Sequence, residues 1–397
     1  MDLIHKFFEA ANMQRWNDHI RPVELTELDK QAHKMVLAWV LARFEEREKG
    51  TPIDWTKIIE GGIFEFLQRV VLTDLKPPVF HRISKEKRDE MNSFVLRELD
   101  ESVPNMDPSF LERFKDYFED QDAESIERRV LKAAHYLATN WEFKMIYAAN
   151  PTMYGIDDTR KNIEMQIEDH YDLIGVQRIL LEKKSFGFVE FCGQLRFQQR
   201  WARSPRIPKT SVLGHMLMVA IMSYLCSAEI GACPRRIYNN YFTSLFHDLP
   251  EVLTKDIITP VKKNVGGLDR ILVDYEKQEV DEKLLPLIPS QWRKDFEYLL
   301  WGPWRNRIIE GGTVRVIDED EIPSRYNKDA FQPVDGVLLK ACDNLAAYIE
   351  ASTSVRYGIR SKTLEVGMER LGETLADRNV YGIDFGRLVD DFEAMRI

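Results

Sequence analysis

Apolar residues along this chain recur at three- and four-residue spacing, the period that lays one face of an α-helix against a core. The stretches "HMLMVAIMSYLCSAEI" (215–230) and "VLLKACDNLAAYIEAS" (337–352) each hold that period over more than two turns. Alternating apolar and polar positions are scarce, so the expected fold class is all-α. The exception lies about 299–333, where Gly-Gly and Pro residues surround a short β-like "TVRVID" (313–318). That segment predicts a small inserted flap or hairpin. No apolar run approaches the roughly 20 residues that span a bilayer. The opening "MDLIHKFFEAANMQRW" lacks the basic and apolar regions of a signal peptide.

Similar blocks occur twice, in the same order. "MQRWNDHIRPVELTELDKQAHKMVLAWVLARF" starts at Met13, and "QQRWARSPRIPKTSVLGHMLMVAIMSYL" starts at Gln198. Each has Gln-Arg-Trp, a polar loop with proline, a histidine (His33, His215) and an apolar helical run. "FEFLQRVVLTDLKPPV" (64–79) lies over "SLFHDLPEVLTKDIITPV" (244–261), and "VLKAAHYLATNWE" (130–142) over "LLKACDNLAAYIE" (338–350). "MYGI" (153–156) and "RYGI" (356–359) complete the series. The pattern predicts a tandem duplication, with one domain over 1–182, a second over 183–397, and the join near "KKSFGF" (183–188). Leu67 and His135 are 68 residues apart, whereas Asp248 and Asp343 are 95 apart, so the insertion belongs to the second copy.

The copies differ where chemistry would sit. His247-Asp248 falls on Phe66-Leu67, Glu251 on Val70, and Asp343 on His135. Residues needed only for the frame should persist in both copies, so this contrast singles out the second as the working one. His215, His247, Asp248 and Asp343 together make a mixed nitrogen and oxygen set for a divalent ion. Two histidines favour Mn, Co, Fe, Ni or Zn over Mg. A water bound there would lose a proton near neutral pH and become a nucleophile. Burying so many ionisable groups without a metal would be costly.

The net charge of −10 argues against a nucleic-acid polymer as partner. "QRWARSPRIPK" (199–209) is locally basic through Arg200, Arg203, Arg206 and Lys209, with Lys262 and Lys263 further on. A positive pocket on an acidic protein suits a small phosphorylated ligand. Cys192, Cys226, Cys233 and Cys342 have no C-x-x-C spacing and read as reduced thiols of a cytoplasmic protein.

His, then His-Asp, then Asp on successive helices resembles the HD-domain metal-dependent phosphohydrolases. The run "HDLPEVLTKDIITPVK" and "KACDNLAAY" resemble the bacterial 5'-deoxynucleotidase branch, over roughly 190–375. The resemblance implies an all-α protein of two HD-like domains, the first degenerate and the two paired within one chain, since that branch works as homodimers of single domains. It assigns the metal to His215, His247, Asp248 and Asp343, general acid/base work to Glu251, and a sugar-side role to Asp256. Arg200 would clamp the phosphate and Trp201 would pack on the sugar. The implied activity is 5'-nucleotidase action on deoxyribonucleoside monophosphates; a deoxynucleoside triphosphate hydrolase or a non-catalytic nucleotide-binding module are the alternatives. Gly214, before His215, departs from the family, where an acidic residue is common.

Overall fold

The computed structural model describes residues 1–73, 82–83, 86–103, 106–119, 124–254 and 268–395. The chain is built of α-helices, as the spacing predicts, with two short hairpins among the described residues. Helix Trp55–Leu72 shows why local sequence suffices for many of them. Asp54 caps it by accepting from Thr56 N and Lys57 N, and Ile58, Ile59, Ile63, Phe66, Leu67 and Val70 line its buried face.

Two helices run through the middle of the molecule. Glu27–Phe44 is buried along its whole length, and Val212–Glu229 is buried over nearly all of it. A helix without a solvent face needs neighbours on every side. Ile126–Ala149 packs on the first, Pro234–Phe246 and Gly336–Arg356 pack on the second, and the two central helices pack on each other. Val212–Glu229 is long and apolar enough by composition to cross a bilayer, but most of it is packed inside the protein.

The geometry around these two helices repeats at an interval of 185 residues. Gln14 bridges Thr26 as Gln199 bridges Ser211. Arg15 N donates to Leu25 O at 2.8 Å, and Arg200 N donates to Thr210 O at 3.0 Å. Thr26 caps the first helix through Asp29 N, and Ser211 caps the second through Gly214 N. Trp16 and Trp201 both take left-handed backbone, with φ of 54° and 56°. In this frame Lys30, and not His33, stands where the second half has His215.

The halves share one continuous apolar core. Trp39, fully buried, donates through Nε1 to Tyr238 Oη at 2.9 Å and meets Trp292 and Phe246 edge-on at 5.1 Å each. The join expected at Lys183–Phe188 falls at the start of helix Lys184–Gln194, where Gly187 lets Leu287 approach closely.

The predicted insertion is a hairpin, Arg307–Glu310 with Thr313–Val316. Gly311 and Gly312, with φ of 59° and 78°, supply the positive dihedrals that its two-residue turn requires. It has its own small core of Ile308, Ile317, Ile322 and Tyr326. The second hairpin, Asn379–Val380 with Ile383–Asp384, was not anticipated: its strands are two residues long and carry no alternation.

Because Trp39 belongs to both halves, Trp39→Ala should lower stability by about 3–5 kcal/mol. Circular dichroism and fluorescence should still report a single unfolding transition. Two separated transitions in the unsubstituted protein would refute a shared core.

Candidate metal centre

Three helices converge at one point of the second half. His215 comes from the first turn of Val212–Glu229, and His247 and Asp248 from the turn ending Pro234–Phe246. Asp343 lies inside Gly336–Arg356. Ligand atoms of His215, His247 and Asp343 all lie within 4.8 Å of one another, and the three residues are buried. Asp248 joins the edge of this set, its Oδ2 lying 3.0 Å from His247 Nε2.

The tautomers follow from the partners. His247 Nδ1 lies 2.7 Å from Ser244 O, which can only accept, so Nδ1 carries the proton and Nε2 offers a lone pair. His247 Nε2 is buried without a well-formed hydrogen bond, facing Asp248 Oδ2 and, at 3.8 Å, Asp343 Oδ1. His215 Nδ1 sits 3.2 Å from Glu350 Oε1, which points its Nε2 at Asp343 Oδ1, 2.9 Å away. Lone pairs facing carboxylate oxygens repel unless a cation lies among them. A divalent ion fits this donor set, with Glu350 and Ser244 O as the outer groups that orient each imidazole.

With no ion, a protonated imidazole is the other way to steady these carboxylates. Burial pushes Asp248 up, but the charge of a protonated His247 and then that of Arg200 outweigh it and bring its pKa down to about 2. Burial likewise opposes the ionised Asp343, yet a hydrogen bond from the Nε2–H of a protonated His215 and the charge of Lys340 hold it well below the ordinary carboxylate range. Lys340 Nζ donates to Asp343 Oδ2 at 2.7 Å, leaving Oδ1 on the side of the histidines.

Glu350 organises the surroundings. Its buried carboxylate accepts from Thr210 Oγ1 at 2.8 Å, Trp201 Nε1 at 3.0 Å and Arg200 Nε at 3.4 Å. Arg206 NH1 lies 3.6 Å away. Arg200 reaches the other way with NH1, 3.5 Å from Asp248 Oδ2, and so connects Glu350 to the metal-facing carboxylates. The Trp201 ring packs on Gly367, whose lack of a side chain makes room for it. Glu251 opens the short helix Glu251–Thr254, its amide donating to Asp248 O at 3.1 Å. Its charge is near enough to strengthen that of Arg200. Asp256, Lys262 and Lys263 lie outside the described residues.

The first half keeps the organising carboxylate. Glu142 accepts from Arg15 Nε at 2.8 Å, Trp16 Nε1 at 2.9 Å and Arg196 NH1 at 2.9 Å. At the metal-facing positions stand Lys30 and His135, with Lys30 Nζ 2.5 Å from His135 Nδ1, and the apolar Phe66 and Leu67. A lysine amine, an imidazole and two apolar side chains thus stand where the second half has two histidines and two aspartates. His33 lies elsewhere, its Nε2 3.1 Å from Val189 O on the helix joining the halves.

Gly214 also has a structural account. A side chain there would meet Asp29 Oδ1 at 2.9 Å and Leu28 at about the same distance. Asp29, the equivalent residue of the first half, accepts a hydrogen bond from Ser211 Oγ, the cap of the helix that carries His215. The acidic group missing from position 214 is supplied from the other half of the chain.

Glu350, Lys340 and Asp29 escaped the sequence reading. Glu350 had left a signal: the blocks ending "NWE" and "YIE" both place a glutamate seven residues after the variable position.

Glu27, beside Arg15, provides a pH test. Burial pushes its pKa up from 4.5, but Arg15, Lys30 and Arg69 outweigh that and lower it to about 2. A depressed carboxylate contributes stability that is fully present above its unfolded value and lost as pH falls through its folded one. Stability should therefore decline between about pH 4.5 and 2. Glu27→Gln should flatten that decline by roughly 2–3 kcal/mol in acid-unfolding curves.

Residues 192–372 match the HD domain family. A 5'-deoxynucleotidase of Photorhabdus laumondii is 24% identical over 206 residues, 50% of this chain and 87% of that protein. Another from Photobacterium profundum is 25% identical over 206 residues, 50% and 89% respectively. One from Vibrio parahaemolyticus is 29% identical over 210 residues, 51% and 91%. With its histidines and aspartates gathered from three helices, and with these similarities, the segment 192–372 is an HD domain, and this part of the chain is similar to 5'-deoxynucleotidases.

Proposed function

We propose that residues 183–397 are a metal-dependent phosphohydrolase domain that removes phosphate from deoxyribonucleoside 5'-monophosphates, and that residues 1–182 are a second HD-like domain without a working site. The observation that carries this reading is the convergence of His215, His247 and Asp343 within 4.8 Å, each imidazole held by an acceptor on its Nδ1. The relatives named as 5'-deoxynucleotidases support the substrate class.

In this reading His215, His247, Asp248 and Asp343 hold a divalent ion, with Mn, Co, Fe, Ni or Zn better suited than Mg to a site with two imidazoles. Bound there, such an ion supplies a Lewis acid for the phosphate and lowers the pKa of water. Arg200 presents a planar, permanently charged fork beside Asp248 and takes a phosphate oxygen. Glu251 accepts the proton of the attacking water and returns it to the leaving 5'-oxygen. Asp256 serves the sugar side. Trp201, with its Nε1 on Glu350 and its ring on Gly367, shapes the wall against the sugar. Intramolecular pairing takes the place of a partner subunit, with Asp29 bracing Ser211. The protein would work in the cytoplasm on small nucleotides.

Phosphate release should be measured on mono-, di- and triphosphates, deoxy and ribo, with Mn, Co, Mg and Zn supplied separately. Deoxyribonucleoside monophosphates should be the preferred substrates. Triphosphate-only turnover, or nucleotide binding without any release, would sink the reading. Asp343→Ala should remove both stoichiometric metal and turnover with the helical content retained. Glu251→Gln should keep the metal while turnover falls roughly 10²–10⁴-fold. Metal loss in that variant would make Glu251 part of the ion's surroundings instead.

A further inference from the structure

The insertion unique to the second half delivers an aromatic side chain to the edge of the metal centre. The Trp304 ring lies 5.1 Å from that of His247, and Lys340 Nζ lies 4.6 Å over it. That same ammonium donates to Asp343 Oδ2 at 2.7 Å. Trp304 therefore touches one metal-facing residue directly and another through one side chain. Trp304 as a whole is half-buried.

The placement is enforced by the backbone. Residues 304–305 lie directly on the start of helix Gly336–Arg356: a Cβ on Gly336 would stand 2.1 Å from Arg305 N and 2.3 Å from Trp304 C. No residue other than glycine fits at 336 without moving this segment. Asn306 Oδ1 accepts from Val337 N at 3.0 Å, which satisfies one of the free amides at that helix end. Arg307 pairs with Val334 in both directions, at 3.1 and 2.9 Å. Its buried guanidinium also donates to Gly302 O and Tyr298 O, at 2.6 and 2.7 Å. The segment carrying Trp304 is thus clamped between the hairpin and the helix of Asp343, and its ring is set against His247 and Lys340.

We propose that Trp304 is a specificity residue, stacking on the base of the nucleotide whose phosphate sits at the metal centre. The inference rests on the nucleotidase reading above. The phosphate is served by the ion and Arg200, and neither can read a base. A neutral aromatic plane fixed at the rim is suited to that task, since stacking tolerates every base and favours the larger purines. A ring so set loses little rotamer freedom when the base lands.

The test compares each deoxyribonucleoside 5'-monophosphate with 2-deoxyribose 5-phosphate, which has the same ester and no base. The ratio of kcat/KM for nucleotide over sugar phosphate should fall roughly 5- to 150-fold in Trp304→Leu, mainly through KM and most for purines. Trp304→Phe should recover most of the ratio. An equal loss on both substrates would make Trp304 a support for His247 and overturn the proposal, as would no change on either. Wild-type protein that hydrolyses both esters equally well would overturn it while leaving a phosphohydrolase in place. If no phosphate ester is hydrolysed, the nucleotidase reading fails separately. Calorimetric binding of deoxyadenosine monophosphate to wild type and Trp304→Leu then decides the stacking claim, with equal affinity refuting it.

Discussion

The charge of Glu350 is the constraint on which the second half is built. A carboxylate buried from water is stable only when donors and cations surround it. Here the donors are Trp201, Thr210, Arg200 and His215, more than 130 residues away in sequence, with Arg206 adding charge. Satisfying that one group draws the 199–210 loop onto helix Gly336–Arg356 and turns His215 toward Asp343. It also offsets the left-handed backbone of Trp201, a strain of order 1–3 kcal/mol that persists only where the surroundings impose it. Glu142 does the same for Arg15 and Trp16 in the first half. The hub belongs to the frame, and both halves have it, although only the second half brings two histidines and an aspartate together around it.

The exchange within the first half is chemically consistent. Lys30 Nζ donates to His135 Nδ1, and burial, with the nearby Arg15, Lys34 and Arg69, pushes the lysine's pKa well below its ordinary value despite the charge of Glu27. Burial and the neighbouring Lys30, Lys34, Arg15 and Arg69 keep that imidazole's pKa well below its ordinary value. Phe66 and Leu67 fill the remaining volume with carbon. Where the second half gathers desolvated carboxylates, the first has a packed interior of a lysine, a histidine and carbon.

Much of this was legible in sequence because periodicity and spacing are local. Apolar spacing gave the helices, Gly311-Gly312 beside β-like residues gave the hairpin, and His247-Asp248 with Asp343 marked the centre. What escaped depends on contacts between distant segments. His33 looked like the counterpart of His215 because both are histidines at the start of an apolar run. The cap residues Thr26 and Ser211 set the true frame three positions away, on Lys30. Glu350 was hidden because a glutamate late in a helix usually faces solvent, and only the fold surrounds it with donors. Trp304 carries no motif, and its relation to His247 arises from the way Gly336 admits the inserted backbone.

The contact between Asp29 and the Ser211–Gly214 turn gives the pairing of the halves a direction. Positions 29 and 214 are equivalent in the repeated frame, and they face each other. Two first halves meeting in this way would press one desolvated carboxylate against another. Two second halves would leave a gap and a serine hydroxyl without its acceptor. Only the unlike combination matches shape and charge together, so each half discriminates against its own kind. At this junction a carboxylate faces a glycine and a serine hydroxyl, so equivalent positions of the two halves meet as unlike and complementary groups.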